Sequence, residues 1–73
     1  MFEKNYILHQ IRFCFNHYNT IYEDYPPLVR TASRARDVGE MDVYVEILYN
    51  QNDISLNTYN NFKALLKKMY IKS

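Results

Sequence analysis

His9 and His17 are the two histidines of the chain and Cys14 its one cysteine, the side chains from which metal sites and nucleophile–base pairs are most often built. The histidines are eight positions apart, about 80° around a helix, so they do not form the i, i+4 pair that helical metal sites use. Cys14 falls on an apolar stripe, pointing away from both. The spacing therefore describes a buried small hydrophobe and two surface or interface histidines, with no metal and no cofactor expected. Among carboxylates, Glu40, Asp42 and Glu46 are the best grouped, and their spacing suits a solvated helix face better than an acid–base pair. Gly39 is the only glycine, so no glycine-rich phosphate loop exists. A short helical chain also offers little room for a sheltered cleft, and an enzyme is not expected.

Two other groups point to recognition. Arg30, Arg34 and Arg36 stand with Thr31 and Ser33 in the first turns of a helix, where cations oppose the dipole at a few tenths of a kcal/mol each. They need compensation, either from Glu23, Asp24 and Asp37 nearby in sequence or from an acidic partner or phosphate backbone. Asn57, Asn61, Ala64 and Lys68 recur at steps of four, three and four, with Asn60 and Lys67 beside them. Asparagine can read adenine edges and lysine can contact phosphate, so this face is a candidate nucleic-acid contact, with Val43 to Asn50 completing a helix-turn-helix.

These residues must be carried by helices. Ile7, Ile11, Cys14, Tyr18, Ile21 and Tyr25 alternate steps of four and three, flanked by Leu8, Phe15 and Tyr22, which predicts a helix over about 4–24. Opposite that stripe runs a thinner line, Phe2, Tyr6, His9 and Phe13, with His17 following. Tyr25-Pro26-Pro27 ends the helix, and Pro27 suits the first position of the next. Leu28, Ala32, Ala35, Val38, Met41, Val45 and Leu48 then mark a second helix over 27–50, with a kink or break at Gly39 left open. Val43 and Ile47 lie opposite Met41, Val45 and Leu48, so this helix is apolar on two sides and must be covered twice. The run from Val43 to Tyr49 is also rich in strand formers, but it lacks alternation, and a lone two-stranded pair is marginal in water.

Asn50-Gln51-Asn52-Asp53 reads as a polar turn. Ser55 is the expected N-cap of a third helix, over 55–70, with Ile54 and Tyr59 as a hydrophobic staple. Leu56, Tyr59, Phe62, Leu66 and Met69 form its apolar face. The hairpin from Leu48 to Lys68 is similar in rhythm to short helical-hairpin oligomerisation modules, though it lacks their turn glycine and identifies no family.

Seventy-three residues allow one domain, 1–73, and a chain of this size buries only roughly 60% of its unfolded surface, which favours self-association. With 48% hydrophobic residues and eight tyrosines it is too apolar to be disordered. A net charge of +1 gives neither the basic footprint of a dedicated nucleic-acid binder nor the acidity of a DNA mimic. A lone cysteine fits a reducing cytoplasm, and no stretch is long enough for a membrane span. Phe, Tyr, Met, Ile, Asn and Lys, all with AT-rich codons, supply 34 of 73 residues, which suggests an AT-rich microbe, phage or mobile element.

The reading is an all-α, antiparallel three-helix bundle, expected to dimerise. Its expected role is that of a regulator or inhibitor acting by protein–protein contact. The partner-binding candidates are Phe2, Tyr6, His9 and Phe13, with Val43 and Ile47 as a second interface. The alternative is a helix-turn-helix-like transcriptional regulator using the acidic-partner or nucleic-acid set Arg30, Arg34, Arg36, Asn57, Asn61, Lys67 and Lys68.

Overall fold

Proline sets where the central helix begins. Pro26 is extended, with φ −54° and ψ 147°, and Pro27 takes the first helical position, where its missing N–H costs nothing. In the computed structural model, which describes residues 2–20 and 25–72, three helices follow in order: α1 (Lys4–Thr20), α2 (Pro27–Asn50) and α3 (Leu56–Lys72). No strand forms among the described residues, so the run from Val43 to Tyr49 is helical. The stretch 21–24, which periodicity places at the end of α1, lies outside the described residues.

Three of the helix ends are satisfied locally. The Glu3 carboxylate accepts the backbone N–H groups of Asn5 and Tyr6 at 3.1 and 3.0 Å, capping α1. Ser55 Oγ accepts the Thr58 N–H at 3.1 Å, the expected N-cap, while Ile54 and Tyr59 pack on the core. At the end of α2, Asn52 adopts φ 63°; its N–H reaches the Tyr49 carbonyl and that of Asp53 reaches Leu48. These are the two bonds of a Schellman motif, with asparagine in the left-handed position that glycine usually fills.

α2 runs through Gly39 as one helix of 24 residues. At 1.5 Å per residue it spans about 36 Å, which sets the 39 Å long dimension of the molecule. A Cβ built on Gly39 would meet no atom within 4 Å, and no glycine has positive φ among the described residues. Nothing among the described residues therefore requires glycine there, although it costs about 1 kcal/mol relative to alanine.

α1 packs on α2 and α2 on α3, both antiparallel, whereas the backbones of α1 and α3 stay more than 8 Å apart among the described residues. The core is where the two stripes meet that of α2: Cys14 and Tyr18 from α1, Val38, Met41 and Val45 from α2, Leu66 and Met69 from α3. Val45 and Leu48 are wholly buried, and each such side chain contributes about 1.5–3 kcal/mol. Tyr25, counted on the α1 stripe from its spacing, lies outside the helix and is exposed.

α3 is held to α2 by charge as well. Lys63 Nζ lies 2.5 Å from Asp42 Oδ1 and 2.9 Å from Glu46 Oε1, and the Tyr59 hydroxyl donates to Glu46 at 2.5 Å. Hydrogen bonds to Asp42 and then Glu46 raise the Lys63 pKa, and those from Tyr59 and then Lys63 lower that of Glu46. The carboxylates read as a solvated face are thus engaged: Asp42 and Glu46 by α3, and Glu40 by Cys14 and Arg36.

Candidate functional site

Helical periodicity places Phe2, Tyr6, His9, Phe13 and His17 in one row along α1. Except for half-buried His17, the row is open to solvent, with Phe2 58%, Tyr6 55% and Phe13 62% exposed. On α2, Arg36, Glu40, Val43 and Ile47 form a matching row at steps of four, three and four. The two rows adjoin, because Phe13 and His17 share a cavity with Arg36 and Glu40. The two partner-binding sets named from sequence therefore lie on one side of the α1–α2 layer. Val43 is 56% exposed and Ile47 half-buried.

Burial on α2 follows from this geometry. Its inner side, carrying Val38, Met41, Val45 and Leu48, is buried between α1 and α3. Among the described residues no helix covers Val43 on the second apolar side.

The cavity at the end of the aromatic row encloses about 280 Å³ and brings together residues that spacing along the chain kept apart. His17 Nδ1 is 2.8 Å from Asp37 Oδ2, and Cys14 Sγ donates to Glu40 Oε2 at 3.5 Å. Cys14 does not point away from both histidines, since it lines the same cavity as His17. One i, i+3 pair on α1 meets another on α2, a match visible only once the antiparallel register is known. Burial, and then the Glu40 hydrogen bond, push the Cys14 thiol up from 9.0 to about 11. A reactive cysteine needs the opposite shift. Among the described residues no three His, Cys, Asp or Glu side chains are arranged to hold a metal ion.

The arginines do not act as one cluster. Arg36 points to solvent and pairs with Glu40 at 3.4 Å, whereas Arg30 and Arg34 are half-buried. Arg34 stacks over the Tyr18 ring, 5.5 Å from its centroid, and its Nε is buried with no hydrogen-bond partner. Asp37, expected among the groups that neutralise the arginines, is buried with His17 at 2.8 Å. Glu23 and Asp24, the other expected partners, lie outside the described residues. On α3, Asn57, Asn61, Ala64, Lys67 and Lys68 are all exposed.

Sequence reasoning missed Gln51. Its side-chain amide accepts the Phe2 N–H at 2.6 Å and donates to the Phe2 carbonyl at 2.9 Å, tying the start of the aromatic row to the α2–α3 turn. Nothing about a glutamine in a polar turn signals such a contact.

No family model, no curated protein and no solved structure matches the chain. No helix among the described residues is long and apolar enough to cross a membrane.

Proposed function

We propose that this chain is a small non-enzymatic regulator or inhibitor, encoded by a bacterium, phage or mobile element. It acts in the cytoplasm by protein–protein contact through the side of the α1–α2 layer that carries Phe2, Tyr6, His9 and Phe13. One observation carries the reading: three large aromatic side chains stand more than half exposed in a row, next to the exposed Val43. Aromatic anchors dominate interface energetics, and an exposed row of them marks a contact surface. The capture of Phe2 by Gln51 supports it, because an anchored row loses less conformational freedom on binding. Self-association across Val43 and Ile47 belongs to the same proposal.

The test is affinity capture from the native host with nuclease treatment, alongside the solution mass of the purified protein. A DNA-independent complex that Phe13→Ala abolishes, with the fold intact, supports the reading.

A second reading, duplex binding by α3, draws on the exposure of Asn57, Asn61, Ala64, Lys67 and Lys68 along that helix. It would show as salt-dependent affinity lost on Lys67→Ala plus Lys68→Ala. The packing of α2 and α3 speaks for the first reading: they run side by side from Tyr49 and Tyr59 down to the groove between Gly39 and Tyr70. The helices of a helix-turn-helix cross at about 90–120°.

A further inference from the structure

The open side of α2 carries Ala32, Gly39 and Val43, flanked by Arg36 and Asp42. We propose that a second copy of the chain packs on it, α2 antiparallel to α2, with the two-fold axis passing beside Gly39. This rests on the reading of Val43 as part of an interface and supplies the partner and register.

In such a pairing, residues equally far before and after Gly39 meet across the axis, on the same flank. Arg36 of each copy then faces Asp42 of the other, so the charges complement one another twice, as an isologous contact requires. Arg36 already pairs with Glu40 and Asp42 with Lys63 within one copy, and both keep room for a second partner, the Arg36 side chain being 81% exposed and that of Asp42 43%. Size matches as well. Val43 of one copy falls over Ala35 of the other, and Ala35 lines a groove of about 460 Å³ with Val38, Gly39, Leu66 and Tyr70. The empty space over Gly39, which no described residue of its own chain fills, is where the two backbones approach most closely.

Sedimentation equilibrium tests this. The wild-type protein sediments at twice its monomer mass of 8.9 kDa. Gly39→Leu keeps the helical fold, since its side chain enters open space and leucine is the better helix former, yet it raises the dimer Kd by at least roughly tenfold. Arg36→Asp, which sets a carboxylate against Asp42, does the same. Gly39→Cys oxidises to a covalent dimer, whereas Asn57→Cys does not. A wild-type chain that stays monomeric, or a Gly39→Leu chain that dimerises as tightly as wild type, overturns the proposal. Phe13→Ala keeps the dimer, so loss of an outside partner in that variant bears on the aromatic row alone. A dimer abolished by Phe13→Ala and untouched by Gly39→Leu would place the contact elsewhere and also overturn the proposal.

Discussion

The Tyr18 hydroxyl donates to the Met69 carbonyl at 2.6 Å, joining the last turn of α1 to the last turn of α3 across 51 residues of sequence. Among the described residues the backbones of these helices do not touch, so this bond joins two helices that otherwise meet only through α2. Tyr18→Phe keeps the ring in the core and under Arg34 but removes the bond. It is expected to cost about 1–2 kcal/mol, lowering the melting temperature by roughly 5–15 °C for a domain of this size. Urea and thermal unfolding followed by circular dichroism check it.

Asn52 holds the α2–α3 turn at φ 63°. Glycine reaches that conformation without steric penalty, so Asn52→Gly is expected to stabilise by a few tenths to about 1 kcal/mol, while Asn52→Ala destabilises by about 1 kcal/mol. Opposite signs at one position in denaturant titrations would establish the motif. Equal effects would contradict it.

Stability should fall on the alkaline side. Cys14, Tyr44, Tyr59 and Lys63 all have pKa values raised by folding. The native state then holds protons that the unfolded chain releases, and stability declines as pH rises. The decline starts with Cys14, between 9.0 and about 11, and its share is at most about 3 kcal/mol. Cys14→Ala should delay the onset in a pH series of urea midpoints. On the acid side Glu46, whose pKa hydrogen bonds from Tyr59 and Lys63 depress, contributes stability that is lost as pH falls through its folded value.

The same burial protects the thiol. At pH 8 a shift from 9.0 to about 11 lowers the thiolate fraction by about 100-fold, and restricted access lowers the rate further. Cys14 should therefore label with a maleimide only when the chain is unfolded. Rapid labelling of the native protein would contradict the packing of α1 on α2.

Helix number, order and the central core positions were legible because a period near 3.6 survives along each segment: Ile7, Cys14, Tyr18, Val38, Met41, Val45, Leu48, Leu66 and Met69 are buried where periodicity places them, whereas Leu28 and Leu56, on the same stripes near the helix starts, are exposed. The α3 N-cap at Ser55 was legible for a local chemical reason. What spacing along one helix cannot supply is the register between helices. His17–Asp37, Cys14–Glu40 and Lys63–Asp42 each depend on it, which is why carboxylates that look solvated in sequence are engaged in the fold. Gly39 left a kink or break open for a related reason. Its residue type allows a break, but α2 runs through it as one helix, with Val38 and Met41 buried on either side.

Phe13 is 62% exposed and stacks at the edge of the core on His17, with ring centroids 6.3 Å apart. Phe13→Ala should change unfolding stability by no more than about 0.5 kcal/mol, as is usual for surface substitutions. If the aromatic row is the contact surface, the same substitution removes an interface anchor. Nuclease-treated affinity capture, run in parallel with wild-type and Phe13→Ala protein and with the unfolding midpoint of each measured, tests this most directly. The expected result is a protein partner retained by wild type and lost by a fully folded Phe13→Ala. A Phe13→Ala chain that unfolds, or that keeps the same partner at the same yield, would contradict a role for the row in binding.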